Sequence, residues 1–133
     1  YLLDPVAYPA TPATAFKVNG VPDIFAIGNN KLLVMERSFS TGRLPCTIKI
    51  FEVDLTSAED ISKHVSLITS PPAKPLTKKL LLNMDNLGMH IDNVEGMCFG
   101  PTLPNGHKTL VMVADNNFQL FETTQFFLFE IIP

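Results

Sequence analysis

The sequence predicts an all-β chain, propeller-like, with about two antiparallel blades. Three observations carry that prediction. Eleven prolines are spread through 133 residues between short, strongly apolar runs, which favours strands and fixed turns over a helical bundle. Glycine and asparagine pairs separate those runs, as at Gly28-Asn29-Asn30 and Asn105-Gly106. One order also repeats: apolar strand, Gly/Asn turn, apolar strand ending in an acid, polar loop, amphipathic strand. The first copy covers about 24–55, extended by 77–84, and the second about 94–132. Antiparallel units of three or four strands are what propeller blades look like, and a ring needs at least about four of them. The chain therefore reads as part of a larger propeller.

The elements follow in order. Residues 1–22 read as an extended N-terminal arm, because Pro5, Pro9, Pro12 and Pro22 interrupt any period. A short strand at Ala15–Val18 and a turn at Asn19-Gly20 are expected within it. Residues 23–133 form the two blades of a partial domain, about 23–84 and 94–133. Ile24–Ile27 and Lys31–Arg37 pair across the Asn29-Asn30 turn, and Thr47–Leu55 alternates at period two. Thr56–Lys63 is expected to make one helical turn, with Ser57 as cap and Asp60 three residues on. Ser70–Pro75 is a proline-rich surface linker, and Thr77–Met84 is a further strand. In the second copy, Val94–Phe99 and Thr109–Ala114 form a hairpin, the latter apolar throughout as for a strand covered on both faces. Gln125–Ile132 closes the chain.

Composition excludes several functions. A hydrophobic fraction of 46% supports a core, and 17% charged residues is low, so part of the surface is expected to be covered by more protein. The remaining blades, or another chain, are the expected partner. The net charge of −3 and scattered basic residues leave no footprint for nucleic acid. No run of ~18 uninterrupted apolar residues spans a membrane. The chain opens on Tyr1 rather than Met, as expected of a mature product or fragment, which points to an extracellular or periplasmic setting. Cys46 and Cys98 allow one intramolecular pairing, and neither has a metal-ligand neighbour at zinc-site spacing.

The chemistry concentrates at strand ends. Asp92-Asn93-Val94-Glu95-Gly96 places two carboxylates, an amide and a glycine at the mouth of a strand. Carboxylate oxygens are hard ligands suited to Ca²⁺. Asp92, Glu95, Glu36 and Asp115 are the candidate metal ligands. Glu36 and Arg37 are also candidate catalytic groups, the guanidinium as a bidentate phosphate clamp, and His90 is a candidate general acid or base. Each has a structural alternative. Asp92 and Asn93 can cap a turn, Glu95 can pair with Arg37, Glu36-Arg37 can make an ion pair with the neighbouring blade, and Asp115-Asn116 can finish a strand in an Asx turn. No Gly-x-Ser-x-Gly elbow is present, so a serine-hydrolase triad is not expected.

A set of motifs in fixed order then points to a family. They are Tyr1–Pro5, Leu33–Phe39, Ile50–Leu55, Lys78–Leu82, Asp92–Pro101, Ala114–Phe118 and Thr124–Phe126, with residues 6–22 matching least. This order resembles the C-terminal part of the family known for the esterase-like activity of phytase, a propeller-type domain. Asn116 stands where the family more often has a second aspartate, and the region around Pro22-Asp23 also departs from its pattern. The resemblance implies part of a phytase-like, metal-assisted phosphoester hydrolase. Ca²⁺ would neutralise phosphate charge and help activate water, and the substrate would be a small phosphorylated molecule. The alternative is a non-catalytic propeller module for binding or scaffolding, possibly a fragment that pairs with another chain.

Overall fold

The hairpin at Asn29-Asn30 sets the register of the first sheet. Both residues hold positive φ, 51° and 57°. A two-residue turn of that hand matches strand twist, and asparagine tolerates it better than most residues. The turn joins β1 (Lys17–Gly28) to β2 (Lys31–Ser40). β3 (Thr47–Asp54) and β4 (Lys78–Asn83) complete an antiparallel sheet of order β1-β2-β3-β4. A second antiparallel sheet, β5-β6-β7, consists of Val94–Phe99, Thr109–Ala114 and Gln125–Glu130. This computed structural model describes residues 1–132. Among them there is no α-helix, only a 3-10 turn at Met84–Leu87 that ends on left-handed Gly88.

The core lies between the two sheets. Leu33, Met35, Ile48 and Ile50 from the first meet Val94, Met112, Ala114 and Phe127 from the second. Phe25 of β1 packs edge-on against Phe99 of β5, with centroids 4.8 Å apart. The two strands are also tied by Asp23, whose carboxylate accepts the Met97 N–H at 2.7 Å.

β2 shows how one strand serves two surroundings. Successive side chains on a strand point to opposite faces. Leu33 and Met35 belong to the core between the sheets, and Phe39 packs against it. Arg37, on the same face, reaches Asn93 and Glu95. The alternate residues Glu36, Ser38 and Ser40 are buried on the other face, under the N-terminal arm. There their side chains bind the arm's backbone: Glu36 accepts the Asp4 N–H, Ser38 accepts the Ala7 N–H, and Ser40 donates to the Tyr8 carbonyl.

Several local expectations change: β1 begins at Lys17, inside the segment 1–22 that the sequence reads as an extended arm. Asn19-Gly20 is not a turn: it lies inside β1, where the pairing with β2 slips between Gly20 and Asp23. Residues 56–63 form no helical turn. Asp54 and Asp60 each accept a backbone N–H two residues on, from Thr56 and Ser62, and such local acceptors compete with helix. Glu36 is not at a strand end, because β2 continues to Ser40. The last strand stops at Glu130, two residues short of the expected end. Cys46 and Cys98 are both free thiols.

Candidate functional site at the sheet junction

The pairing of β5 with β6 brings Val94 opposite Ala114. The entry to β5, with Asp92 and Asn93, therefore shares one end of the second sheet with Asp115, just past β6. Arg37 reaches this end from the first sheet. Its Nη1 donates to Asn93 Oδ1 and to Glu95 Oε1, both at 2.6 Å. Both contacts use one nitrogen, which leaves Nη2 and Nε outside them.

Asp92 is buried and acts as a loop clamp. Its carboxylate accepts the N–H of Asn93 at 2.8 Å and of Thr123 at 2.7 Å. Its own N–H donates to Gln125 Oε1, and Gln125 Nε2 donates to the His90 carbonyl. These bonds hold the 90–93 segment against the stretch leading into β7. The imidazole of His90 is exposed, with Nε2 at 3.8 Å from Asp92 Oδ2. Glu95 and Asp115 are also exposed. Beyond Asp115, the Asn116 side chain accepts the Phe118 N–H, an Asx turn that finishes the strand.

Glu36 does not join this group. It is adjacent to Arg37 in sequence and so faces the opposite side of β2. Only 1% of it is exposed. Oε1 accepts from Tyr1 Oη at 2.6 Å and Lys78 Nζ at 2.5 Å. Oε2 accepts from Asn19 Nδ2 at 2.7 Å and the Asp4 N–H at 3.1 Å. Burial pushes this carboxyl up, but the donors of Lys78, Tyr1, Asn19 and Asp4 outweigh it, and the net displacement is downward. Lys78 also bridges Asp4, which Lys49 binds in turn. Lys78 and Lys49 hold the Asp4 carboxyl below its ordinary value. Burial alone would lower the Lys78 ammonium, yet Asp4 and Glu36 raise it above the usual lysine range. The Tyr1 hydroxyl is pushed up by burial and by its bond to Glu36.

The sequence reading missed this knot as a unit. Its signals were present, since Lys78-Lys79 is the one basic pair and Tyr1–Asp4 opens the motif series. What joins them is the path of the arm over β2.

The expected Ca²⁺ cage is not assembled by this donor set. Among the described residues no three His, Cys, Asp or Glu side chains gather where one cation could be held. Both Glu36 oxygens are spent on donors, one of them the Lys78 ammonium. Both Asp92 oxygens accept backbone N–H groups, and the nearest charge to Glu95 is Arg37. A Ca²⁺ ion takes six to eight oxygens, and these residues do not offer them.

An open cleft of about 790 Å³ remains at the junction. Arg37, His90, Asp92 and Asn93 line one side of it, with Arg43, Cys46 and Glu122. Burial pushes the Cys46 thiol up, which keeps it protonated and inert as a nucleophile. Arg43 is committed elsewhere: it stacks on the Tyr8 ring at 4.0 Å, donates to the Pro45 carbonyl and Thr47, and pairs with Asp85.

A family model described as "Phytase-like: Esterase-like activity of phytase" matches residues 1–118. The match takes in the arm, the whole first sheet, the Asp92–Glu95 segment and Ala114–Phe118, and stops before Thr124–Phe126. No curated protein and no solved structure matches the chain.

Proposed function

The chain belongs to the phytase-like family, and from that premise we propose that it is a two-blade segment of a propeller-type domain that hydrolyses phosphate esters. In this reading the segment contributes ester binding at the Arg37 cleft and not a cage of carboxylates. The observation that carries it is the arrangement of Arg37. Glu95 and Asn93 grip the guanidinium through Nη1 beside an open cleft, which orients the plane while Nη2 and Nε stay outside those bonds. A planar guanidinium with two free donors suits a phosphate oxygen pair. His90 lines the same cleft, and in this reading it exchanges a proton with the ester or with water. The extracellular or periplasmic setting belongs to the same proposal.

The propeller form is supported by the surface. The sheet face that carries Phe126 and Leu128 leaves them 75% and 61% exposed. An apolar face of this kind is one that further protein covers, as the next blade of a ring would.

The test is a titration of the 133-residue chain with p-nitrophenyl phosphate, followed by amide NMR. Saturable shifts at Arg37, His90 and Asn93, weakened at least about tenfold in Arg37→Ala, are the expected result. Absence of saturable shifts at millimolar ester sinks the binding role. A second reading, a non-catalytic scaffold, is favoured by one specific observation: Glu36 and Asp92 spend their oxygens on structural donors. That reading wins if Arg37→Ala and the unsubstituted chain respond to the ester alike.

A further inference from the structure

The outermost strands of the two sheets differ in how their edges are guarded. A strand edge presents unpaired N–H and C=O groups that template pairing with another chain. β1 and β5 face each other: Asp23 of β1 accepts the Met97 N–H of β5, and Phe25 meets Phe99. β4 is guarded by its own sequence. It opens on Lys78-Lys79, and its ladder with β3 skips Leu81, since Ile50 pairs with Leu82 and Phe51 with Leu80. Charged side chains and bulges are what blunt an edge. β7 has neither. It reads Gln-Phe-Phe-Leu-Phe-Glu, pairs with β6 without a slip, and carries no charge before Glu130.

The parity of the ladder fixes which backbone groups of β7 are open. The Ile131 N–H donates to the Lys108 carbonyl, and in an antiparallel sheet alternate residues bond to the same neighbour. The odd-numbered residues of β7 therefore face β6, and the N–H and C=O of Phe126, Leu128 and Glu130 point to the open side. Among the described residues no strand pairs there. Consecutive residues Gln125 to Phe129 line an open trough of about 530 Å³, with Leu87 and Met89. Side chains from both faces of a strand share one space along its edge, and β6 fills the other edge. The trough is room for a further strand.

We infer that β7 pairs with β7 of a second copy of this chain, antiparallel about a two-fold axis at Leu128. This register sets Leu128 opposite Leu128 and each Phe126 opposite the second copy's Glu130, and these residues exchange their open N–H and C=O groups. On the core-side face, Phe127 then stands opposite the second copy's Phe129. Those are non-hydrogen-bonded positions, where side chains come closest, and aromatic cross-strand pairs are among the favourable ones. Like charges do not face each other. The two Glu130 side chains are offset by four residues, about 13 Å along the strands, which exceeds the ~8 Å screening length of physiological salt. A two-fold contact needs a surface complementary to itself, and β7 meets that condition. No β7 residue lines the Arg37 cleft, so the inference stands apart from the phosphoester reading.

Sedimentation equilibrium of the full chain over micromolar concentrations tests it. The mass is expected to rise from 14.7 kDa to twice that value. Leu128→Lys puts like charges directly opposite one another and is expected to weaken the dimer at least about tenfold. Leu128→Glu is expected to do the same, and an equimolar mixture of the two variants, which sets Lys against Glu, to regain the dimer. Leu128 is exposed, so both variants should keep the fold. Leu81→Lys, on the guarded β4, is expected to change nothing. Hydrogen exchange on the unsubstituted chain needs no variant: the Phe126, Leu128 and Glu130 amides should gain protection as concentration rises. A chain that stays monomeric, or a mass that climbs past the dimer, overturns the inference. So do dimers that survive both Leu128 variants, variants that stay monomeric on mixing, or protection at those amides that ignores concentration.

Discussion

Replacing Glu36 by glutamine tests the central structural claim, that this carboxylate ties the arm to the first sheet and does not serve a site. The side chain keeps its shape, so no cavity opens. One of the two oxygens becomes an NH₂ group, however, and must face donors, either Tyr1 Oη with Lys78 Nζ or Asn19 Nδ2 with the Asp4 N–H. Lys78, whose side chain is 18% exposed, also loses the carboxylate that offsets its burial. Removing one partner from a buried ion pair costs about 3–5 kcal/mol, and the partial exposure of Lys78 favours the lower end. For a chain of this size ~1 kcal/mol moves Tm by roughly 2–5 °C. A fall of about 10 °C is therefore expected in a circular-dichroism melt. Proteolysis of the native protein should then cut within residues 1–16 faster than in the unsubstituted chain. Pairing the change with Lys78→Met gives a double-mutant cycle, and a coupling above ~1 kcal/mol is expected for groups in one network. A melt within 2 °C of the unsubstituted protein (about the resolution of the assay), with the arm equally protected, would refute the tie.

Three further outcomes follow from the same contacts. Asp92→Ala removes the acceptor of two backbone N–H groups, Asn93 and Thr123, so a loss of about 2–3 kcal/mol is expected in urea unfolding, with faster amide exchange at Thr123; unchanged exchange at Thr123 would show that the clamp is not made. The Asp4 and Glu36 carboxyls lie below their ordinary values when folded, so their stabilisation is complete above about pH 5, beyond both ordinary values, and is lost as pH falls through the folded values. Lys78 lies above its ordinary value, so its share is complete below about pH 10.4 and is lost as pH rises through its folded value. Arm protection, read from the Asp4 and Ala7 amides, should therefore form a plateau that fails at both ends, and a pH-independent signal from about 2 to 7 would contradict the assignment. Because no three ligating side chains gather among the described residues, millimolar Ca²⁺ and EDTA should give the same Tm within about 1 °C, and a larger rise with Ca²⁺ would restore the metal reading.

Much of the strand plan was legible because it is local. Gly28-Asn29-Asn30 specifies a tight hairpin through backbone conformation alone, and β1 and β2 meet there. Val94–Phe99 and Thr109–Ala114 fall where the apolar runs lie. The pairing of Glu95 with Arg37 is legible in the sequence as one alternative, since opposite charges at neighbouring strand ends attract wherever the sheets meet. Less local features misled. Asn19-Gly20 has turn chemistry yet extends β1, because pairing with β2 and the Asn19 bonds to Asp4 and Glu36 outweigh a weak propensity.

The sequence by itself determined an all-β chain in two antiparallel units, the positions of most strands, and the clustering of acids near strand ends. These depend on periodicity and turn chemistry, which act over a few residues. The tertiary structure decided which acids meet. Glu36 and Arg37 are neighbours in the chain and occupy opposite faces of β2, so one is sealed beneath the arm and the other reaches the second sheet. That separation follows from the strand's two-residue period. The partners it assigns, Lys78 to Glu36 and Asn93 to Arg37, lie 42 and 56 residues away. Only the path of the whole chain brings them together.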